Sequence, residues 1–133
     1  MDLLYQQETF KIRGVLFDVY NKLGPGFLEK IYKRAVKEEL IARNIPFAEE
    51  KKFSIKYNDK VIGFNLIDLL VYDKIILELK AVNQLEKFHI SQVLAYLKAT
   101  GLKLGLLVNF GGKKLEIKRV INDKLNISAE SVS

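Results

Sequence analysis

Apolar positions between residues 9 and 23 recur at Phe10, Val15, Leu16, Val19 and Leu23, the period of a helix with one buried stripe. Gly24 is a natural stop and Pro25 prevents continuation. The same period resumes over residues 27–43, through Leu28, Ile31, Tyr32, Ala35, Val36 and Leu40. Two helices are therefore expected, joined by the tight Gly24-Pro25-Gly26 link. After Pro46 the period changes to two. Phe47, Glu49, Lys51, Phe53, Ile55 and Tyr57 share one parity. Asn58-Asp59-Lys60 signals a turn, residues 61–71 form a long apolar strand, and residues 75–80 form another after Tyr72-Asp73-Lys74. These three strands read as an antiparallel meander.

A third helix is expected over residues 86–100, with Phe88, Leu94, Ala95 and Leu97 facing the core and Gly101 closing it. Residues 102–110 are an apolar run of buried-strand type. Gly111-Gly112 marks a hairpin turn, residues 114–121 alternate as an edge strand, and residues 122–133 are expected to fray. The order α-α-β-β-β-α-β-β places a helix between the third and fourth strands, which permits a crossover into the same sheet. The expectation is an α/β fold, a central mixed sheet flanked by helices, in one domain spanning residues 1–133.

Three charges interrupt the apolar middle strands: Asp68, Glu78 and Lys80. Charges are seldom buried without a partner or a task. Glu78 and Lys80 are two apart and share a strand face, whereas Leu77 and Leu79 take the other. Register then decides whether Asp68 joins them. A two-residue turn at Asp73-Lys74 would pair Tyr72 with Ile75 and set Asp68 opposite Leu79. A three-residue loop would pair Val71 with Ile75 and set Asp68 opposite Glu78. Asp73-Lys74 is neither Asn-Gly nor Asp-Gly, the pairs that two-residue hairpins favour. An odd loop or a bulge is expected, with Asp68 beside Glu78. Two adjacent carboxylates repel, and a divalent cation relieves that repulsion.

Composition narrows the chemistry. The 133 residues include no cysteine and one histidine, His89. Disulfide scaffolds, thiolate zinc sites, cysteine nucleophiles and multi-histidine metal sites are excluded. No G-x-S-x-G elbow is present. A metal would take oxygen ligands, which favours Mg²⁺ or Mn²⁺ over Zn²⁺. The start, MDLLYQQETFKIRG, has no basic region followed by an apolar one. No apolar run approaches the roughly 20 residues of a membrane span. The expectation is a soluble cytoplasmic protein with no membrane partner.

The net charge is +6, which suggests a polyanionic partner. Residues 98–124 hold seven basic residues against Glu116 and Asp123, and so carry +5. Lys30, Lys33, Arg34 and Lys37 form a second cluster at helical spacing. A solvated surface explains such clusters equally well.

The chain also resembles a known family. Gly26-Phe27-Leu28-Glu29-Lys30-Ile31-Tyr32 fits G-x-x-E-x-x-Y. Asp68 followed by Glu78-Leu79-Lys80 fits D-(x)n-E-x-K. Gln92, in His89-Ile90-Ser91-Gln92 with Tyr96 one turn on, fits the helix that follows, and Gly105-Leu106-Leu107-Val108-Asn109-Phe110 fits the closing strand. In this ordered set, over about residues 8–121, the chain is similar to GxxExxY proteins of the PD-(D/E)xK nuclease superfamily. The resemblance implies a restriction-endonuclease-like αβββαβ core and Mg²⁺- or Mn²⁺-dependent hydrolysis of phosphodiester bonds in DNA or RNA. It implies Asp68 and Glu78 as metal ligands, with Glu29 as an additional acid near the metal. It assigns Lys80 to the attacking water and the phosphate charge, and Gln92 to the shape of the site. A homodimer is an expectation from analogy alone.

Plainer explanations stand beside each assignment. With Gly26 as N-cap, Glu29 would be the N3 carboxylate of a helix. Tyr32 suits the core, with its hydroxyl near the cleft. Asp68 and Lys80 could form a structural ion pair, but Glu78 then needs its own partner. His89 suits a peripheral polar position, and Asn109 a turn. Tyr57, Phe64 and Tyr72 could stack bases, although core and sheet-edge packing is the default. Two rivals to a nuclease are a non-catalytic nucleic-acid-binding module and a protein-interaction module on the same fold. The first would bind polyanions without turnover, and the second would show an exposed apolar edge or patch.

Overall fold

A computed structural model describes residues 4–122 and the backbone of residues 127–132. Helix α1 runs Gln6–Leu23 and α2 runs Glu29–Ala42. Strands β1 (Phe47–Tyr57), β2 (Lys60–Val71) and β3 (Ile75–Lys80) follow, then α3 (Lys87–Thr100), β4 (Leu104–Asn109), β5 (Glu116–Asn122) and β6 (Ile127–Val132). The six strands form one sheet in sequence order. β1, β2 and β3 pair antiparallel, as the meander predicts. β3 and β4 pair parallel, because α3 carries the chain across before β4 enters. β5 and β6 add antiparallel. The arrangement is the expected α/β fold, a mixed sheet flanked by helices.

Alternation along the buried strands divides two cores. Ile75, Leu77 and Leu79 of β3, with Leu104, Leu106 and Val108 of β4, pack on Ile12, Leu16, Tyr32 and Val36 of α1 and α2. Ile76 and Leu107 face the other way, onto Val93, Tyr96 and Leu97 of α3. Each such side chain contributes about 1.5–3 kcal/mol relative to exposure. The α3 layer is closely fitted, since a Cβ on Gly105 would lie 2.6 Å from Val93 Cγ1. Helices therefore cover both faces, and Glu78 and Lys80 continue the α3-facing row begun by Ile76.

Several expectations need correction. Within the stretch expected to fray, Ile127–Val132 form β6, which pairs with β5 from Ile117↔Val132 to Asn122↔Ile127. β5 is thus an inner strand. Helix α2 starts at Glu29 with Leu28 as N-cap, so Glu29 is its first residue rather than N3. Phe10 (74% exposed) and Phe88 (66%) lie outside the core, as do Leu28 and Ile31. Ile12 and Val93 occupy the inward positions instead. A helical period identifies a stripe, but a helix covering one sheet face leaves the stripe's margins in water.

Candidate active site

The loop between β2 and β3 is Tyr72-Asp73-Lys74, and Tyr72 and Asp73 both take positive φ. The three-residue count sets the register Val71↔Ile75, Leu70↔Ile76 and Leu69↔Leu77, as expected. The ladder then stops. Asp68 is the next residue on β2, and its Oδ2 accepts the Leu79 N–H at 3.1 Å. A side chain thus takes an amide that strand pairing leaves open. The other side of β2 also changes at this point. Glu49 pairs with Leu69 and Lys51 with Ile67, but Glu50, between them, has φ 51°. Leu69 belongs to the α1/α2 core and Ile67 to the α3 core. Two residues of one parity cannot serve opposite faces of a flat strand, so β2 turns over at Asp68.

Glu78 lies across this break and is only 4% exposed. Its Oε2 is 3.5 Å from Lys80 Nζ, and its Oε1 is buried with no hydrogen-bond partner among the described residues. Burial first, and the Asp68 carboxylate second, raise its pKa from 4.5 to about 7, against the pull of Lys80. Lys80 Nζ also donates to Gln92 Oε1 at 3.2 Å, which ties β3 to α3. Tyr96, one turn beyond Gln92, has its hydroxyl pKa raised by burial and then by Glu78, with Gln92 opposing through a hydrogen bond. Five side chains from β2, β3 and α3 thus interact around the break.

Glu29 reaches this cluster through the field rather than by contact. Desolvation and then Asp68 raise its pKa, while Lys80 and Lys33 lower it. Among the described residues no hydrogen bond or ion pair to Asp68 or Lys80 is formed by Glu29, and much of its surface is open. Tyr32 fixes where Glu29 starts. The Tyr32 hydroxyl donates to the Gly24 carbonyl at 2.6 Å and accepts the Phe27 N–H at 3.2 Å. Its ring stacks on Phe110 at 4.5 Å. Tyr32 is therefore in the core as expected, but its hydroxyl closes the Gly24-Pro25-Gly26 link rather than lining the cleft.

Two polar residues have structural tasks that their sequence positions did not reveal. Asn109 is buried: Oδ1 accepts the Val82 N–H (2.9 Å) and the Gly111 N–H (3.0 Å), and Nδ2 donates to the Val82 carbonyl (2.9 Å). It clips the segment after Lys80 to the β4–β5 connection. His89 is buried rather than peripheral. Its Nδ1 accepts the Glu86 N–H at 2.8 Å in the capping box that opens α3. The Asn-x-Gly-Gly run and the Glu-x-x-His spacing were the available signals.

The basic clusters are partly neutralised. Lys33 and Lys37 pair with Glu50 and Glu49 beside a groove of about 390 Å³ that Lys30 and Arg34 also line. Arg119 is buried and donates to the Leu4 carbonyl, and Lys118 lies 3.7 Å from Glu116. Lys124 lies outside the described residues. A larger groove, about 540 Å³ between β1 and α3, contains none of the candidate site residues.

Among the described residues, no three His, Asp or Glu side chains stand close enough to cage a metal unaided. Mg²⁺ does not require such a cage, since it keeps several waters and accepts one or two carboxylates. An all-oxygen pair in which one buried oxygen, Glu78 Oε1, lacks a partner fits that requirement.

Two carboxylates and a lysine thus meet at a break in the ladder of a mixed sheet covered on both faces, and the fold is restriction-endonuclease-like. A family model of the PD-(D/E)XK nuclease superfamily matches residues 6–120, and the chain belongs to that superfamily. No curated protein and no solved structure matches it. Nucleases of this superfamily generally use divalent metals. Among the described residues no helix is long and apolar enough to cross a membrane.

Proposed function

We propose that the protein is a metal-dependent nuclease that hydrolyses phosphodiester bonds of DNA or RNA. The observation that carries this reading is Glu78: a buried carboxylate beside Asp68, with one oxygen lacking a partner, on a strand whose next inward residue is Lys80. Asp68 and Glu78 would hold Mg²⁺ or Mn²⁺, with Glu29 as a third acid approaching from α2. The ion, when bound, supplies Lewis acidity at the phosphate and lowers the pKa of a coordinated water.

The side chains have distinct tasks in this scheme. Lys80, held by Gln92, keeps a positive charge beside the carboxylates where a phosphorane-like transition state accumulates negative charge. The Leu79 N–H fixes one Asp68 oxygen and leaves the other for a ligand. Gln92 restricts the Lys80 side chain to one direction, so little order is lost when substrate arrives.

The test is calorimetric titration of Mg²⁺ and Mn²⁺ into wild type and Asp68→Ala, with cleavage of mixed DNA and RNA followed in the same samples. Metal binding and cleavage that are both lost in the variant support the proposal. A wild type that binds no metal reduces Asp68, Glu78 and Lys80 to a structural charge cluster. Metal binding without cleavage of any substrate favours a non-catalytic nucleic-acid-binding module.

A further inference from the structure

Beyond Asp68 the β1–β2 hairpin carries large apolar side chains that no helix covers. Tyr57, Val61, Ile62, Phe64 and Leu66 are all exposed, Phe64 at 57%. Their placement follows from the register. Phe53 pairs with Asn65 and Lys51 with Ile67. Phe53 and Ile67 pack into the α3 layer, with Phe53 edge-on to Tyr96 at 5.2 Å. The alternate residues, Lys52 and Ser54 of β1 with Leu66 and Phe64 of β2, therefore face away from α3. Glu50, between the paired Glu49 and Lys51, forms an ion pair with Lys33 of α2. Asp68, where β2 turns over, lies two residues beyond Leu66 on the same strand.

The row is basic as well as apolar. Lys52 Nζ sits 4.1 Å from the Phe64 ring centroid. Residues 52–66 carry Lys52, Lys56 and Lys60 against the single acid Asp59, a net +2, and Lys51 is paired with Asp73. A second copy of the chain is a poor occupant, because a symmetric contact would set +2 against +2. A polyanion with flat apolar faces is complementary to both features. Duplex bases are already stacked on both sides, so only an unpaired base can lay its face on Phe64.

We propose that this hairpin is a platform for single-stranded nucleic acid, on which Phe64 stacks a base while Lys52 and Lys60 meet phosphates. It rests on the nuclease reading only in taking the strand on to Asp68. Phe64 and Asp68 are four residues apart along β2, about 13 Å. At about 3.4 Å per stacked nucleotide that distance is about four nucleotides.

The test uses fluorescence anisotropy in EDTA, so that binding is read without cleavage, on a labelled single-stranded DNA and the same sequence as duplex. Wild type is compared with Phe64→Ala, Phe64→Leu, Phe64→Trp and Lys60→Ala, and the absence of free metal separates this surface from the metal site. The expected result is tighter binding of the single strand than of the duplex by wild type. Phe64→Ala and Phe64→Leu weaken it about tenfold or more, Phe64→Trp preserves it, and duplex binding barely changes. Lys60→Ala lowers the slope of log K against log salt by about 0.7. Equal affinity for both strand forms, or full affinity in Phe64→Leu, overturns the platform and leaves the nuclease reading intact. A wild-type dimer that Phe64→Ala converts to monomer by sedimentation, with unaltered single-strand binding, also overturns it and assigns the patch to self-association.

Discussion

Replacing Glu78 with glutamine preserves the shape of the side chain and removes its ionisation. In the metal-free protein the Glu78 carboxyl has its pKa raised from 4.5 to about 7, chiefly by burial and then by Asp68. A group that holds its proton more tightly when folded stabilises the fold fully below its unfolded pKa. That contribution is lost as pH rises through the folded pKa. For Glu78 the loss therefore runs from about pH 4.5 to just above pH 7. At about 1.4 kcal/mol per unit it amounts to about 3 kcal/mol. Glu8, Glu39 and Glu49, whose pKa values are lowered foremost by hydrogen bonds to Lys74, Lys22 and Lys37, act with the opposite sign and at lower pH. They are common to both proteins and cancel in the comparison. Urea denaturation in EDTA at pH 5, 6, 7 and 8 is the assay. Glu78→Gln should match wild type near pH 5 and exceed it by about 2–3 kcal/mol at pH 8. Excess Mg²⁺ at pH 8 should close part of that gap for wild type alone, because a ligand that binds only the folded state stabilises it. Parallel pH profiles, or a glutamine variant less stable at pH 8, would refute the assignment of Glu78 as a desolvated, repelled carboxylate.

Three further substitutions probe the supports of the site by the same denaturation assay. Tyr32→Phe keeps the stack on Phe110 but removes the bonds to Gly24 and Phe27, and should cost about 1–2 kcal/mol; a loss under about 0.5 kcal/mol would mean that the hydroxyl does not hold the link. Asn109→Ala leaves the Val82 and Gly111 amides without their acceptor and should cost about 2–3 kcal/mol. Wild-type stability there would show that the clip contributes nothing. Gly111→Ala would place a Cβ 2.5 Å from the Val82 backbone and should cost about 2 kcal/mol, whereas a neutral result would require the Val82 segment to yield freely.

The fold was legible where one residue type had one explanation. Gly24-Pro25 ended a helix, the change of period after Pro46 began the sheet, and the apolar run of β4 indicated a strand buried on both faces. The site's register was legible too, because turn chemistry at Asp73-Lys74 disfavoured a two-residue hairpin and parity then set Asp68 beside Glu78. Other features depend on contacts between distant segments. His89 and Asn109 are polar residues whose burial is permitted only by partners at Glu86, Val82 and Gly111. Phe10, Phe88 and Phe64 are apolar residues left outside by the edges of the helix–sheet contact, and composition cannot locate those edges. Glu29 was placed near the site only by the resemblance, since the residues alone favoured a helix-capping carboxylate, and its place at the first residue of α2 depends on Leu28 serving as cap.

The break at Asp68 has a mechanical consequence. β2 joins β3 through three paired positions, whereas β3 joins β4, and β4 joins β5, through six each. The distal hairpin is consequently tied internally from end to end but moored to the rest of the sheet over a short length. Such an element forms a cooperative unit of its own, able to open at a lower free energy than the whole chain. Its pivot coincides with Asp68, the carboxylate proposed above as a metal ligand. Swinging the hairpin therefore displaces Asp68 relative to Glu78, and whatever steadies the hairpin also sets the spacing of the two acids.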